Sequence, residues 1–319
     1  MLSGPATSLG GWGFLKLTKP EKMNKRIIAW WSGGITSAVT CKLCIDIFGL
    51  DNVRFIFIDT HNEDEDTYRF KKDCEQWFGS EIEAICSKEY DSIQEVWRKH
   101  KSLNVATGAI CSTMLKRKVR ELWQKQNEYD YQAFGFELSE SKRAVSLTAN
   151  HPKAKAIYPL LMYGLSKKDC VSIVKEAGLK VPRVYEYGYL NNNCFLTGCV
   201  QGGIGYWQKI KREYPLKFEA MAQMEHELSD AKGAPVTMLK DQSKSANESG
   251  DVLVFLKHNP KYPHLKCIDD MRECKVEPLF ECNGFCGLND LEPRTETERQ
   301  INYEPTLFPS YYSPYTPTP

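Results

Sequence analysis

The chain has 319 residues, 42% hydrophobic and 26% charged, with a formal net charge of +1. Such a chain can bury a sizeable core in one large domain or two smaller ones, and its near-neutral balance excludes a global basic field for nucleic acid or membrane. No apolar run approaches the roughly 20 residues of a membrane helix, and the N-terminus lacks the regions of a signal peptide, so a cytoplasmic protein is expected.

Residues 1–24 show no period and are expected to be a flexible extension. Arg26 to Trp31 then reads as a buried strand and Ile35 to Phe48 as a helix, with Ser32-Gly33-Gly34 in the turn between them. A glycine turn from strand to helix brings backbone N–H groups near the helix's positive end, which suits a phosphate or sulfate. A lone Gly-Gly is also compatible with a plain tight turn. "VRFIFI" (53–58) is a second strand, ending in "DTHNEDEDTYRF" and an amphipathic helix to about Phe78. Strand 82–86, helix 92–100, helix 109–126 capped by Ser112 or Thr113, and strand 131–136 follow. Alternating strands and helices predict an α/β fold, a parallel twisted sheet with helices on both faces. Ligands of such sheets lie at the strands' carboxyl ends, so the Ser32 turn, Asp59 and Gly135 are expected in one cleft.

Beyond a short extended piece and a helix (158–179), residues 185–207 are rich in Asn, Gly and aromatics and read as irregular. Residues 208–230 are predicted as one helix and 240–250 as a mobile loop. The expected organisation is a nucleotide-binding domain over 25–230, a Cys-rich irregular C-terminal region over 231–289 and a Pro/Tyr-rich disordered tail over 290–319. Of the twelve cysteines, Cys41, Cys44, Cys74, Cys86 and Cys170 fall in predicted elements and are expected to be buried. Cys111, Cys194, Cys199, Cys267, Cys274, Cys282 and Cys286 fall in turn-rich segments and are expected to be displayed.

Five motifs in order carry a resemblance. Ser32-Gly33-Gly34-Ile35-Thr36-Ser37, "DTHNEDEDTYRF", "CSTMLKRKV" (111–119), "GFELSESKRA" (135–144) and the Pro-Leu to Gly-Cys run over 159–199 are similar to segments of the phosphoadenosine phosphosulfate reductase family. That family lies within the adenine-nucleotide alpha-hydrolase superfamily. The resemblance implies a PP-loop, with Ser32, Gly33, Gly34, Thr36 and Ser37 around the anionic end of ATP or phosphoadenosine phosphosulfate. No Walker lysine is present, so Lys116 and Arg143 are the candidates for charge compensation, and Asp59 for orienting the nucleotide or helping to hold Mg²⁺.

The chain also departs from the family pattern. Thr36 stands where many ATP-cleaving members carry Asp, Glu137 where the reductases often carry Arg, and "FCGLN" (285–289) keeps only part of the reductase ending whose cysteine takes the sulfonate. Cys286 is the candidate nucleophile by that partial match. Cys111, Cys194 and Cys199 offer three ligands for an iron–sulfur cluster of the kind some relatives bind, and Cys267, Cys274, Cys282 and Cys286 offer four thiols for Zn²⁺ or a cluster. Three functions stay open. One is a sulfonucleotide reductase recycled by a thioredoxin-like partner. Another is an ATP pyrophosphatase that adenylylates or thiolates a small molecule or nucleic acid, the latter gripped by basic residues 116–120 and 209–212 with Tyr206 and Trp207. The third is an inactive nucleotide-binding module. A homo-oligomer is compatible with each.

Overall fold

The computed structural model describes residues 25–105, 108–250, 252–277 and 279; the expected N-terminal extension and C-terminal tail lie outside them. Strand β1 (Ile27–Trp31) is buried at every position and leads through the glycine turn into α1 (Ile35–Phe48). β2 (Val53–Ile58), α2 (Glu65–Phe78), β3 (Ile82–Ile85) and α3 (Ile93–His100) repeat the alternation. The Asp64 side chain caps α2 by accepting the Asp66 N–H, and Ser92 caps α3 by accepting the Glu95 N–H. After the small hairpin β4 (Asn104–Val105) and β5 (Gly108–Ala109), a π-helical turn over Ser112–Arg117 runs into α4 (Lys118–Gln126). The helix expected over 109–126 thus runs unbroken from 110 to 126 with a π-wound middle; only Ala109 is strand, and Ser112 and Thr113 lie inside the helix and do not cap it. β6 (Tyr131–Ala133), α5 (Ser141–Asn150) and β7 (Ala156–Ile157) complete the first half.

The main sheet has the order β3-β2-β1-β6-β7, and every pair in it is parallel. Ala29 faces Phe55 on one side and Ala133 on the other, which places the ends of β1, β2 and β6 along one edge. Strand order reverses between β1 and β6, and such a switch point opens a crevice at the carboxyl ends. Side chains alternate as a sheet covered on both faces requires. Ile27, Ala29, Trp31, Phe55 and Phe57 pack with residues of α1, α2 and the later helix over Lys167–Glu176, whereas Ile28, Trp30, Ile56 and Ile58 pack with Val119, Trp123, Ala144 and Leu147. The expected α/β architecture is present.

The second half is more ordered than its composition suggests. α6 (Pro159–Met162), α7 (Lys167–Glu176) and α8 (Arg183–Glu186) are followed by α9 (Ile204–Glu213) and α10 (Pro215–Lys232). The single helix expected over 208–230 is two, because Pro215 forces Tyr214 out of the helical region, to φ −134° and ψ 61°. β8 (Leu239–Lys240), α11 (Lys244–Ser249), β9 (Leu253–Phe255) and β10 (Lys266–Cys267) form a three-stranded sheet and its crossing helix. The expected loop over 240–250 therefore holds a Ser243-capped helix. Residues of α3, the 109–115 segment, α9, α10 and this small sheet share one buried cluster. The boundary expected at 230 accordingly falls inside a packed unit.

Glu225 of α10 joins that unit together. Fully buried, its carboxylate accepts the Met238 N–H at 2.8 Å and the Leu256 N–H at 2.6 Å, and burial pushes its pKa up from 4.5 to about 8. The folded protein keeps this proton to a higher pH than the unfolded chain, so νN exceeds νU between those values and stability falls as pH rises through them. Urea denaturation between pH 5 and 8 is expected to show that decline, on the order of 1 kcal/mol per pH unit from this group. Glu225→Gln should flatten it; an unchanged slope would remove Glu225 as its source.

Candidate functional site

The turn after β1 is built around one backbone conformation. Gly33 has φ +86°, in the region that favours glycine, and a Cβ there would stand 2.8 Å from Thr67 Cγ2. Gly34 occupies the N-cap of α1 in an extended conformation and supplies no side chain to cap the helix. The Ile35 N–H reaches the Tyr185 hydroxyl at 3.4 Å, a long bond. Ser37 is turned inward: its hydroxyl donates to the Gly34 carbonyl at 2.9 Å and accepts from the Ser32 N–H and the Ser32 hydroxyl, each at 3.0 Å. The Ser37 hydroxyl, expected to hold phosphate, braces the loop from within in this structure. Thr36 is buried beside it.

Gly135 follows β6 and lies directly on this turn. A Cβ at Gly135 would come within 2.9 Å of the Ser37 nitrogen and 3.1 Å of the Thr36 carbonyl carbon. Both are backbone atoms and cannot swing aside. The structure therefore brings the Ser32 turn and Gly135 together, as expected at the switch point. Gly135 acts there by letting two backbones meet.

Asp59, at the end of β2, accepts the His61 N–H at 2.8 Å and the Tyr68 hydroxyl at 3.0 and 3.1 Å. Burial, with Asp59 adding to it, holds the Tyr68 phenol well above its usual pKa. Beyond Asp59 the chain buries Thr60, Asn62, Glu63 and Asp64. Thr60 donates to Glu63 at 3.1 Å, and the Lys116 ammonium, 5% exposed as a residue, lies 3.6 Å from the same Glu63 oxygen. A buried ion pair of this kind leaves a costly lone charge if one partner is removed. Arg183 donates to Asp64 at 3.1 Å, and Arg143 pairs with Glu140 while its guanidinium stacks 4.6 Å from the Phe136 ring centre. Lys116, Arg143 and Arg183 each stand beside a carboxylate. Glu137 turns back on its own chain, accepting the Ser139 N–H in a capping box with Glu140.

The run after α8 closes over the turn. Asn192 donates from Nδ2 to the Gly33 carbonyl at 2.9 Å and to the Thr67 hydroxyl at 3.0 Å. The Phe195 and Leu196 N–H groups both reach the Asn62 carbonyl, at 3.1 and 3.2 Å. Lys217 of α10 donates to the Phe195 carbonyl, with its ammonium 3.7 Å from the Phe195 ring centre. Burial pulls the Lys217 pKa down to about 8, against the raising effect of Asp64. Asn192, Thr67, Glu63, Arg183 and Lys217 were not singled out from the sequence. Three consecutive asparagines were the one local signal, and they read as loop.

The cysteines reverse their expected placement in part. Cys41, Cys44, Cys74 and Cys170 are buried as anticipated, but Cys86, just past β3, is exposed. Cys111, Cys194, Cys199 and Cys267, expected on the surface, are buried, and Cys274 is half-buried. Cys111 lies in the first turn of a helix and Cys267 in β10, while Cys194 and Cys199 lie in irregular chain that is nonetheless enclosed. Cys111, Cys194 and Cys199 belong to one apolar cluster, with Cys194 Sγ 3.7 Å from the Thr60 hydroxyl. Among the described residues no three His, Cys, Asp or Glu side chains are gathered as metal ligands, so the described cysteines do not by themselves fit a metal or cluster. Cys282 and Cys286 lie outside the described residues.

The aromatic and basic residues around α9 are engaged within the fold. Tyr206 and Trp207 are buried, at 4% and 0% exposure. Lys209 pairs with Glu213 at 2.5 Å, Arg212 with Glu273 at 2.6 Å, and Lys211 with Asp269. Arg120 is buried, while Lys118 is exposed as a solvated helix position should be. No helix among the described residues is long and apolar enough to cross a membrane.

The chain is similar to known proteins. A family model described as the phosphoadenosine phosphosulfate reductase domain matches residues 26–197, just over half of the chain. An uncharacterized protein of Methanocaldococcus jannaschii is 27% identical over 214 residues, which cover 65% of this chain and 42% of that protein. The chain thus spans well under two thirds of the length of this curated relative. A crystal structure of phosphoadenylyl-sulfate (PAPS) reductase from Candida auris, in complex with phosphate, is similar at 16% identity and a TM-score of 0.41, covering 53% of this chain and 81% of that one. With its matched segment running from β1 through the Asn-rich run that closes over the glycine turn, the chain belongs to the phosphoadenosine phosphosulfate reductase domain family.

Proposed function

We propose that the protein is an enzyme that binds an adenine nucleotide and acts at its phosphate or phosphosulfate end, with Ser32-Gly33-Gly34 as the cradle. The observation that carries this reading is the turn itself. A left-handed Gly33, a helix start with no side-chain cap and a second glycine, Gly135, pressed on the same turn coincide at the switch point of the sheet. Together they leave backbone N–H groups and a helix dipole as the means of holding an anion. The Ser37 brace keeps that geometry fixed before a ligand arrives, so little ordering accompanies binding. Asp59, at the neighbouring strand end, orients the nucleoside or a hydrated cation.

The pairing of the nearby cations favours ATP over phosphoadenosine phosphosulfate. Lys116, Arg143 and Arg183 are each neutralised by an adjacent carboxylate. A nucleotide arriving with Mg²⁺ brings its own positive charge and needs fewer protein cations. Asp59 retains acceptor capacity on its two oxygens and suits a cation that keeps most of its waters. On this reading an acceptor's nucleophilic atom attacks the α-phosphorus, the bond to the β-phosphate oxygen breaks and pyrophosphate leaves. On the reductase reading, the Cys286 thiolate attacks the sulfur, the sulfur–oxygen bond breaks and the bisphosphorylated adenosine leaves; a dithiol then displaces sulfite from the S-sulfocysteine, regenerating the thiol and becoming a disulfide.

A paired product assay separates these. Pyrophosphate and AMP from ATP with Mg²⁺ would establish the first chemistry; sulfite from phosphoadenosine phosphosulfate with thioredoxin, abolished by Cys286→Ser, would establish the second. Neither product, with nucleotide still bound, would leave a binding module. Gly33→Ala is expected to weaken nucleotide binding by at least about tenfold, because the new methyl meets Thr67 and φ is unfavourable for alanine. Calorimetric titration showing unchanged affinity would remove the cradle from the reading. Gly135→Ala should destabilise the fold by about 1–3 kcal/mol in urea, since its methyl meets backbone; a neutral effect would mean that the two backbones separate readily.

A further inference from the structure

Asn192 has a hydrogen-bonding pattern that folding alone does not explain. The Gly33 carbonyl can only accept, so the Asn192 atom 2.9 Å away is the amide nitrogen, and the carbonyl Oδ1 is assigned by exclusion. That Oδ1 is buried, in a residue 4% exposed, and has no hydrogen-bond partner among the described residues. A buried acceptor left unmatched lowers stability, and an apolar side chain of similar size would avoid the loss. The amide nitrogen meanwhile grips two groups of the glycine turn and its neighbour, the Gly33 carbonyl and the Thr67 hydroxyl.

A peptide group is rigid, so fixing the Gly33 carbonyl also fixes the Gly34 N–H on the other side of the same bond. The Asn192 latch thereby sets the direction of an amide in the phosphate cradle. From this we infer that Asn192 is a positioning residue for anion binding, holding the Gly33–Gly34 peptide with its N–H turned toward the phosphate end of the ligand. The inference rests on the nucleotide reading above. It assigns a function to the Asn-rich run, whose backbone is held from the other side by Asn62 through Phe195 and Leu196.

The test uses the full chain, with ATP, pyrophosphate and adenosine as probes and thermal unfolding as the control. Asn192→Ala is expected to weaken ATP and pyrophosphate by at least about tenfold while adenosine stays within about twofold and the variant remains folded at the assay temperature. Asn192→Asp keeps the shape but faces the Gly33 carbonyl with an acceptor, and should be at least as deficient. Wild-type ATP affinity in Asn192→Ala, with Gly33→Ala defective, would overturn the latch and leave the nucleotide reading standing. Unchanged affinity in both variants would remove the reading and the latch together. Parallel loss of ATP and adenosine with a lowered unfolding temperature, or failure of both Asn192 variants to fold, would make Asn192 a structural residue and overturn the proposal.

Discussion

Where Gly135 meets Thr36 and Ser37, backbone lies on backbone with no room for a methyl group, and the arrangement of the candidate site follows from that approach. Because β1 pairs in parallel with both β2 and β6, the segments leaving those strands emerge on the same edge. One turns into α1 through the glycines; another must pass close by or open a gap at the switch point. A side chain at position 135 would hold the two apart by several tenths of an ångström at least. Glycine there lets the sheet close, and the closure gives the turn a wall.

Charge is handled differently from packing. The cations near the cleft are matched locally by Glu63, Glu140 and Asp64, and two of these pairs, Lys116–Glu63 and Arg143–Glu140, have little solvent access. Buried pairs contribute little net stability against apolar replacements but fix geometry firmly, since either partner alone is costly to bury. The acidic loop after β2 is accordingly ordered by its own neutralisation.

Much of this was legible in the chain. Apolar runs flanked by capping residues announced β1, β2, α2 and α3 within a residue or two, since their burial pattern is local. The parallel sheet followed from strand and helix alternation, and five ordered motifs pointed to the family. The break at Pro215 is written in the sequence, since a proline after Tyr214 disfavours helix at that tyrosine. The cysteines misled for a different reason. Cys111, Cys194 and Cys199 sit in segments of loop-like composition that are nonetheless enclosed by α3, α9 and α10, and enclosure by distant elements leaves no local trace. Asn192 was invisible as a site residue because its partners, Gly33 and Thr67, are 159 and 125 positions away.

That separation bears on how the protein is made. All five strands of the main sheet have been synthesised by Ile157, so its pairing needs nothing beyond β7. The glycine turn, by contrast, receives the Asn192 hydrogen bond only when more than half of the chain has been translated. A nascent chain stopped short of the Asn-rich run would carry the sheet with the Gly33 carbonyl lacking its Asn192 hydrogen bond. Completion of the candidate site is thus a late event in biogenesis, tied to the arrival of a segment that contributes nothing to the sheet itself.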